Sequence, residues 1–350
     1  MIGDNGIQKK ITDVCALPFY IHSMKKQMKT IALLTSGGDA PGLNAAIRAV
    51  VRTALANHLK VLIVHDGYEG LINYNFQEVD EGFVSNIIHK GGTILNTSRS
   101  ERFRLAKWRK VVFENLKKAK VDAVVLIGGN GSFAGAEAFT KEFDFPFIGI
   151  PKTIDNDVAG TDFSIGFDTA TNTALDALDK IRDTANSHHR LFFVEVMGRD
   201  LGYIALHCGI AAGAEAVLIP EKKTNVEDLM KQLEEGWKRK KSSLIVVVAE
   251  GALKKGTKDL AEKVKKKFPY FDVKVNVLGH MQRGGSPSCF DRVLASRLGY
   301  QAIHSLLDGK KNVVVGLVQN KISFTPFAES SRTTHSMSEE MMSIAMELSK

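Results

Sequence analysis

From Lys29 onward the chain alternates two kinds of segment. Short, continuous runs of β-branched and apolar residues occur at Thr30–Thr35, Val61–His65, Ala123–Ile127, Phe147–Ile150, Leu191–Val196, Ala216–Ile219, Leu244–Ala249, Val273–Leu278 and Val313–Val318. Between them lie amphipathic stretches of helical period: Gly42–Asn57, Trp108–Ala119, Thr169–Ala185 and Val226–Lys238. Unbroken apolar strands imply burial on both faces, and their alternation with helices implies parallel crossover units. The pattern therefore predicts an α/β fold of two doubly wound lobes with mainly parallel sheets, and a length of 350 residues suits two domains or one large one. No internal repeat or low-complexity stretch interrupts it. In such sheets ligands bind beyond the carboxyl ends of the strands, so telling residues are expected just after each apolar run.

Residues 1–28 lack this rhythm and are expected to form a disordered or extra N-terminal tail. Their apolar patch Val14–Ile21 is broken by Pro18 and has no small-residue cleavage site after it, unlike a secretory signal. The longest apolar run in the body, Leu244–Ala249, has six residues where a membrane span needs about 20, so no membrane partner is expected. Cys15, Cys208 and Cys289 are too few and scattered for a disulfide framework or zinc site, and a cytoplasmic location fits them. The 47 Lys and Arg exceed the 39 Asp and Glu, giving +8. That balance admits nucleic acid, an anionic surface or small phosphorylated ligands. The densest lysines, between Lys254 and Lys267, read as a solvated helix face without the interleaved aromatics that stack bases, and no nucleic-acid partner is expected.

Candidate chemistry sits at the strand ends. After the first strand, Ser36-Gly37-Gly38-Asp39-Ala40-Pro41-Gly42 leads into a helix, and after Ala123–Ile127 comes Gly128-Gly129-Asn130-Gly131-Ser132. Glycines at strand-to-helix turns let backbone N–H groups approach a phosphate. Either turn alone is equally well a plain tight turn, whereas two together favour one shared polyphosphate cradle. The strand Phe147–Ile150 runs into Pro151-Lys152-Thr153-Ile154-Asp155-Asn156-Asp157. Here one carboxylate could act as a general base toward a hydroxyl while the other orients it or holds a metal, although an Asx turn would explain the same residues. Arg99, Arg104, Arg190, Arg199 and Arg283 lie at strand ends or in loops, and arginine's planar fork suits bidentate phosphate contacts. Together these features describe phosphoryl transfer. His188 and His189, between a helix and a strand, read as capping or packing residues.

The segments TSGGDAPGLNAAIR, GGNGSFAGA, PKTIDND, GTDFSIGFDTA, VEVMGRDLGY and LGHMQRGGSP, in this order, resemble bacterial 6-phosphofructokinases over roughly residues 29–330. The resemblance implies a nucleotide-binding lobe of 29–166 plus 282–332 and a sugar-phosphate-binding lobe of 167–281 plus 333–350. It implies transfer of the ATP γ-phosphate to the 1-hydroxyl of fructose 6-phosphate, with Mg2+, in a homotetramer regulated by phosphorylated metabolites. By the same resemblance Asp155 is the proton acceptor, flanked by Thr153 and Asp157, and Arg199 stabilises the migrating group. Gly38, Tyr68, Arg99, Ser100, Arg104, Gly129, Asn130, Gly131 and Ser132 match the nucleotide side. Met197, Gly198, Glu250, His280 and Arg283 match the sugar-phosphate side, to which a neighbouring subunit adds Arg190 and Lys274. Arg48, Arg52, Arg182, Gly213, Glu215, Arg239 and Lys241 match an effector pocket between subunits.

Several residues depart from the family pattern. Asn130 replaces an aspartate that helps hold magnesium, so an uncharged amide oxygen is left as the metal ligand at that position. Lys274 replaces an arginine, Glu81 an effector-binding arginine and Ser243 a histidine. Members that prefer pyrophosphate carry an acidic residue at the Gly131 position and a lysine at the Lys152 position. This chain has the glycine of the ATP users and the lysine of the others. The glycine carries more weight because a bulky nucleotide requires the space, so ATP is the expected donor. The alternatives are a pyrophosphate-dependent enzyme and a catalytically weak regulatory paralogue.

Overall fold

The computed structural model describes residues 28–188, 190–239, 241, 243–331 and 337–349. The rest of the expected tail and His189 lie outside the described residues, whereas Met28, assigned to that tail, packs against the core.

The strands are β1 (Thr30–Thr35), β2 (Lys60–Val64), β3 (Phe76–Val79), β4 (Ala123–Gly128), β5 (Phe147–Pro151), β6 (Arg190–Val196), β7 (Ala216–Leu218), β8 (Leu244–Ala249), β9 (Asp272–Val277), β10 (Val313–Val318) and β11 (Lys321–Pro326). The helices are α1 (Leu43–Ala56), α2 (Gly67–Ile72), α3 (Ala106–Lys118), α4 (Asn130–Glu142), α5 (Phe167–His188), α6 (Tyr203–Ala211), α7 (Val226–Lys238), α8 (Gly256–Lys267), α9 (Cys289–Leu307), α10 (Phe327–Ser330) and α11 (Glu339–Leu348).

They form two sheets: seven strands in the order β11-β10-β5-β4-β1-β2-β3, and four in the order β7-β8-β6-β9. All pairings are parallel except those of β3 with β2 and β11 with β10, at the two edges of the larger sheet. These edge strands escape the apolar-run criterion because they are half exposed: Gln77 and Glu78 face solvent in β3, and Lys321 does in β11.

Every described residue of β1, β4 and β8 is buried, as unbroken apolar runs demand. Alternate side chains feed opposite cores: Ile31 and Leu33 enter the layer under α1 and α9, whereas Ala32 and Leu34 enter the layer that holds Phe133, Phe139 and Phe147. The smaller sheet is sandwiched likewise, Phe192 and Val194 on one side and Leu191 and Phe193 on the other. Close crossing of α1 and α9 depends on Gly299, where a Cβ would come within 2.7 Å of the Ala49 methyl. The lysine-rich segment is α8, with only Thr257, Leu260, Ala261 and Val264 buried.

The strand order reverses between β1 and β4, whose registers pair Leu34 with Leu126 and Thr35 with Ile127. Both glycine turns therefore leave neighbouring strands at the switch point, the place where open α/β sheets form a crevice.

Candidate active site

A cleft of about 960 Å3 opens where the two lobes meet, lined by residues from the carboxyl ends of strands in both sheets. On the larger lobe it gathers Gly38, Tyr68, Arg99, Ser100 and Arg104 with the turn Gly129–Ser132. Thr153, Asp155 and Asp157 line it, as do Met197, Arg199, Glu250, His280 and Arg283. Gly198 lies between two lining residues, at φ 145.

The carboxylate loop after β5 keeps its shape through its own polar groups. The Asp155 N–H donates to Thr153 Oγ1 (3.1 Å), and Ser164 Oγ donates to the Thr153 carbonyl (2.6 Å). Asn156, in the left-handed region at φ 52, accepts from the Ser164 N–H (2.7 Å) and donates to the Asp162 carbonyl (3.0 Å). Asparagine tolerates that backbone better than most residues. Asp155 is only 8% exposed, and its Oδ1 is buried without a hydrogen-bond partner. Burial and the neighbouring Asp157 push its carboxyl up from 3.8 to about 6. Burial also raises Asp157. Asp155 is thus held near neutral pH, available to a hydroxyl proton rather than tied into an ion pair.

Lys152, only 3% exposed, also lines the cleft, its ammonium donating to the Gly38 carbonyl and, at 3.4 Å, to the Ser36 carbonyl. Burial first, then the Arg283 charge, lowers it from 10.5 to about 8. It braces the first glycine turn against β5, and Arg283 also reaches that turn, donating to the Asp39 carbonyl (3.2 Å).

Arg199 occupies a strained backbone position at φ 56. Glu250 pins it by accepting the Arg199 N–H (2.6 Å), and a Cβ at Gly251 would meet the Arg199 carbonyl at 2.4 Å. The guanidinium reaches only Asp200, at 3.7 Å, and is 71% exposed, so that contact is weak and readily exchanged for a phosphate.

On the nucleotide side, Tyr68 stacks on Phe103 with centroids 3.8 Å apart and donates to the Ser132 carbonyl (2.6 Å). Glu69 receives Arg102 Nε (2.8 Å) and the Ser100 hydroxyl, which fixes the Arg99–Arg104 loop. Sequence reasoning did not single out Glu69 or Phe103; about 30 residues separate Glu69 from its partners, and nothing local marks the pairing. At Gly131 an added Cβ would meet nothing within 4 Å, so that position opens on empty cleft.

Oxygen donors for a hard divalent cation are present. The Oδ1 atoms of Asn130 and Asp157 are both buried and unpartnered. Among the described residues no three His, Cys, Asp or Glu side chains form a metal cluster of their own. These oxygens suit a cation that arrives with phosphates and water rather than one caged by protein.

The residues expected at contacts between subunits do not line this cleft. Arg190 on β6 and Lys274 on β9 instead both pair with Asp272, at 2.6 and 2.7 Å. In the smaller lobe, Arg182 donates to the carbonyls of Ala212 (2.6 Å) and Gly213 (3.2 Å) and reaches Ser243 Oγ at 3.5 Å. Lys241 pairs with the buried Glu215 at 3.4 Å, and Arg239 ends α7. Arg48 and Arg52 lie on α1 in the larger lobe, apart from that group. His188 is exposed at the end of α5, so it does not pack; a basic residue there complements the helix dipole.

The family model described as phosphofructokinase matches residues 30–306. The chain belongs to the phosphofructokinase family. It is 50% identical over 322 residues to an ATP-dependent 6-phosphofructokinase 2 of Bacteroides thetaiotaomicron, covering 92% of this chain and 99% of that one. To an ATP-dependent 6-phosphofructokinase of Cytophaga hutchinsonii it is 49% identical, covering 92% and 98%. Among solved structures, phosphofructokinase from Saccharomyces cerevisiae superposes with a TM-score of 0.83 at 33% identity, covering 92% of this chain and 47% of that longer one. A pyrophosphate-dependent phosphofructokinase from Marinobacter aquaeolei shares the fold, with a TM-score of 0.81 at 23% identity over 92% and 91% of the chains. The expected α/β fold and family are thus those of the protein.

Proposed function

We propose that this phosphofructokinase transfers the γ-phosphate of ATP to the 1-hydroxyl of fructose 6-phosphate, giving fructose 1,6-bisphosphate and ADP. The observation that carries this reading is the unpartnered Asp155 carboxylate, held near neutral pH in the cleft that also contains both glycine turns. The lobe formed by 29–166 and 282–332 takes the nucleotide, and that formed by 167–281 and 333–350 takes the sugar phosphate.

In the ternary complex Asp155 removes the proton from the sugar 1-hydroxyl as that oxygen bonds to the γ-phosphorus. The bond from phosphorus to the β,γ-bridging oxygen breaks, and the electron pair leaves with ADP. Arg199 moves from Asp200 onto the transferring group and stabilises its charge. Lys152 keeps the first glycine turn in place, and its ammonium adds positive potential beneath the phosphates. Asp157, to which the Asn130 amide donates, would hold Mg2+, which, when bound with the nucleotide, would neutralise phosphate charge. Gly131 leaves room for the nucleoside end of the donor.

Arg190 and Lys274 act on the sugar phosphate bound to a neighbouring subunit of a homotetramer; that neither lines its own chain's cleft supports this. The group around Arg182, Glu215 and Lys241, together with Arg48 and Arg52 of a neighbour, forms an allosteric pocket. The scattered cysteines favour a cytoplasmic enzyme.

Initial rates with ATP and with pyrophosphate, each at varied magnesium, test the reading. ATP is expected to support the faster turnover. A second reading, pyrophosphate as donor, is favoured by the buried Lys152 and would be adopted if pyrophosphate were faster.

A further inference from the structure

The side chain of Asn130 starts α4 and faces Asp157, 27 residues along the chain. Its amide nitrogen donates to the Asp157 backbone carbonyl at 3.0 Å and to Asp157 Oδ2 at 3.0 Å. Both partners can only accept, so the orientation of the amide is fixed by chemistry: the nitrogen must face Asp157. One Asp157 oxygen is thereby engaged, and the other, Oδ1, is left buried and unpartnered. An aspartate at position 130 could make neither hydrogen bond and would set two carboxylates against each other. The replacement of a carboxylate by an amide thus does more than remove a charge. It supplies a donor that only an amide offers at this place.

We infer that Asn130 is a positioning residue: its amide clamps the Asp157 carboxylate, and Asp157 presents the anionic oxygen to the divalent cation that accompanies the nucleotide. This rests on the kinase reading above. A side chain that orients a metal ligand through a hydrogen bond typically carries a 10–100-fold share of metal affinity, and only through the ligand that it orients.

Mn2+ binding to the enzyme complexed with a non-hydrolysable ATP analogue, read from the free-ion electron paramagnetic resonance signal, tests the clamp without turnover. The set comprises the wild type, Asn130→Ala, Asp157→Asn and the double variant. The clamp predicts that each single change weakens Mn2+ about tenfold or more, and that adding Asn130→Ala to Asp157→Asn costs less than about twofold further, because contacting residues couple. Effects that multiply in the double variant would make Asn130 an independent ligand and overturn the inference. So would wild-type Mn2+ affinity in Asn130→Ala. Metal-free binding of the analogue confirms folding of each variant, and Asn130→Ser substitutes for alanine should that variant not fold. Donor rates of the wild-type enzyme test the kinase reading separately.

Discussion

Asp155→Asn separates catalysis from stability in a way that the surroundings of this carboxyl dictate. A positioned base contributes about 10²–10⁴-fold, so kcat should fall by that factor while the KM for fructose 6-phosphate changes little. With the wild-type carboxyl at about 6, it is about nine-tenths ionised at pH 7 and about one-tenth at pH 5. The rate advantage of wild type over variant should therefore shrink roughly tenfold between those pH values. Taking the ratio removes titration of the substrate's own phosphate, which both proteins share.

Stability should move the opposite way. Holding the group at about 6 rather than 3.8, in a residue 8% exposed, costs the folded state roughly 3 kcal/mol once it is ionised. The native carboxyl binds its proton more tightly than the unfolded one, so wild-type stability falls as pH rises from about 4 through about 6. The asparagine variant should gain up to ~3 kcal/mol over wild type at pH 8 and nothing below pH ~4, measured by urea unfolding of the metal-free protein. A rate ratio that is flat across pH, or a variant that turns over like wild type, would refute the assignment of the base.

Three further outcomes are expected. Lys152→Met, which removes the donor to the Gly38 carbonyl, should lower kcat/KM for ATP at least tenfold; it should also abolish the decline above pH 8 expected for an ammonium lowered to about 8, as a pH series would show. Gly131→Glu should fold normally, since its Cβ meets nothing within 4 Å and an acidic side chain suits the first turn of α4, yet raise the KM for ATP about tenfold or more in steady-state kinetics. Tyr68→Phe removes the hydroxyl that donates to the Ser132 carbonyl and should cost about 1 kcal/mol in a denaturant melt.

The larger part of the fold is legible in the sequence because buried parallel strands must be apolar throughout, and β1, β8 and β10 run over the residues that their apolar runs mark. The antiparallel edge strands β3 and β11 are not legible, because most of their residues are partly or fully exposed and their identity depends on the neighbour to which they bond. At the site, the cleft-lining glycines, Asp155 and Arg199 stand at strand ends, where a crevice must form. Glu69, Phe103 and the inward turn of Lys152 are not readable: each is fixed by a partner distant in sequence, and local pattern carries no trace of such contacts. Arg190 and Lys274 show a different limit. The resemblance assigns them to the sugar phosphate of a neighbouring subunit, and a single chain shows only their pairing with Asp272.

The adjacency of β1 and β4 has a consequence for how the enzyme comes into being. One glycine turn is made early in the chain and the other some 90 residues later, and only the register that seats Thr35 beside Ile127 brings them face to face. No contiguous fragment that stops short of residue 123 holds both halves of the phosphate cradle. During synthesis the cradle must therefore wait for β4 to be added beside β1, and the first glycine turn alone supplies only half of it.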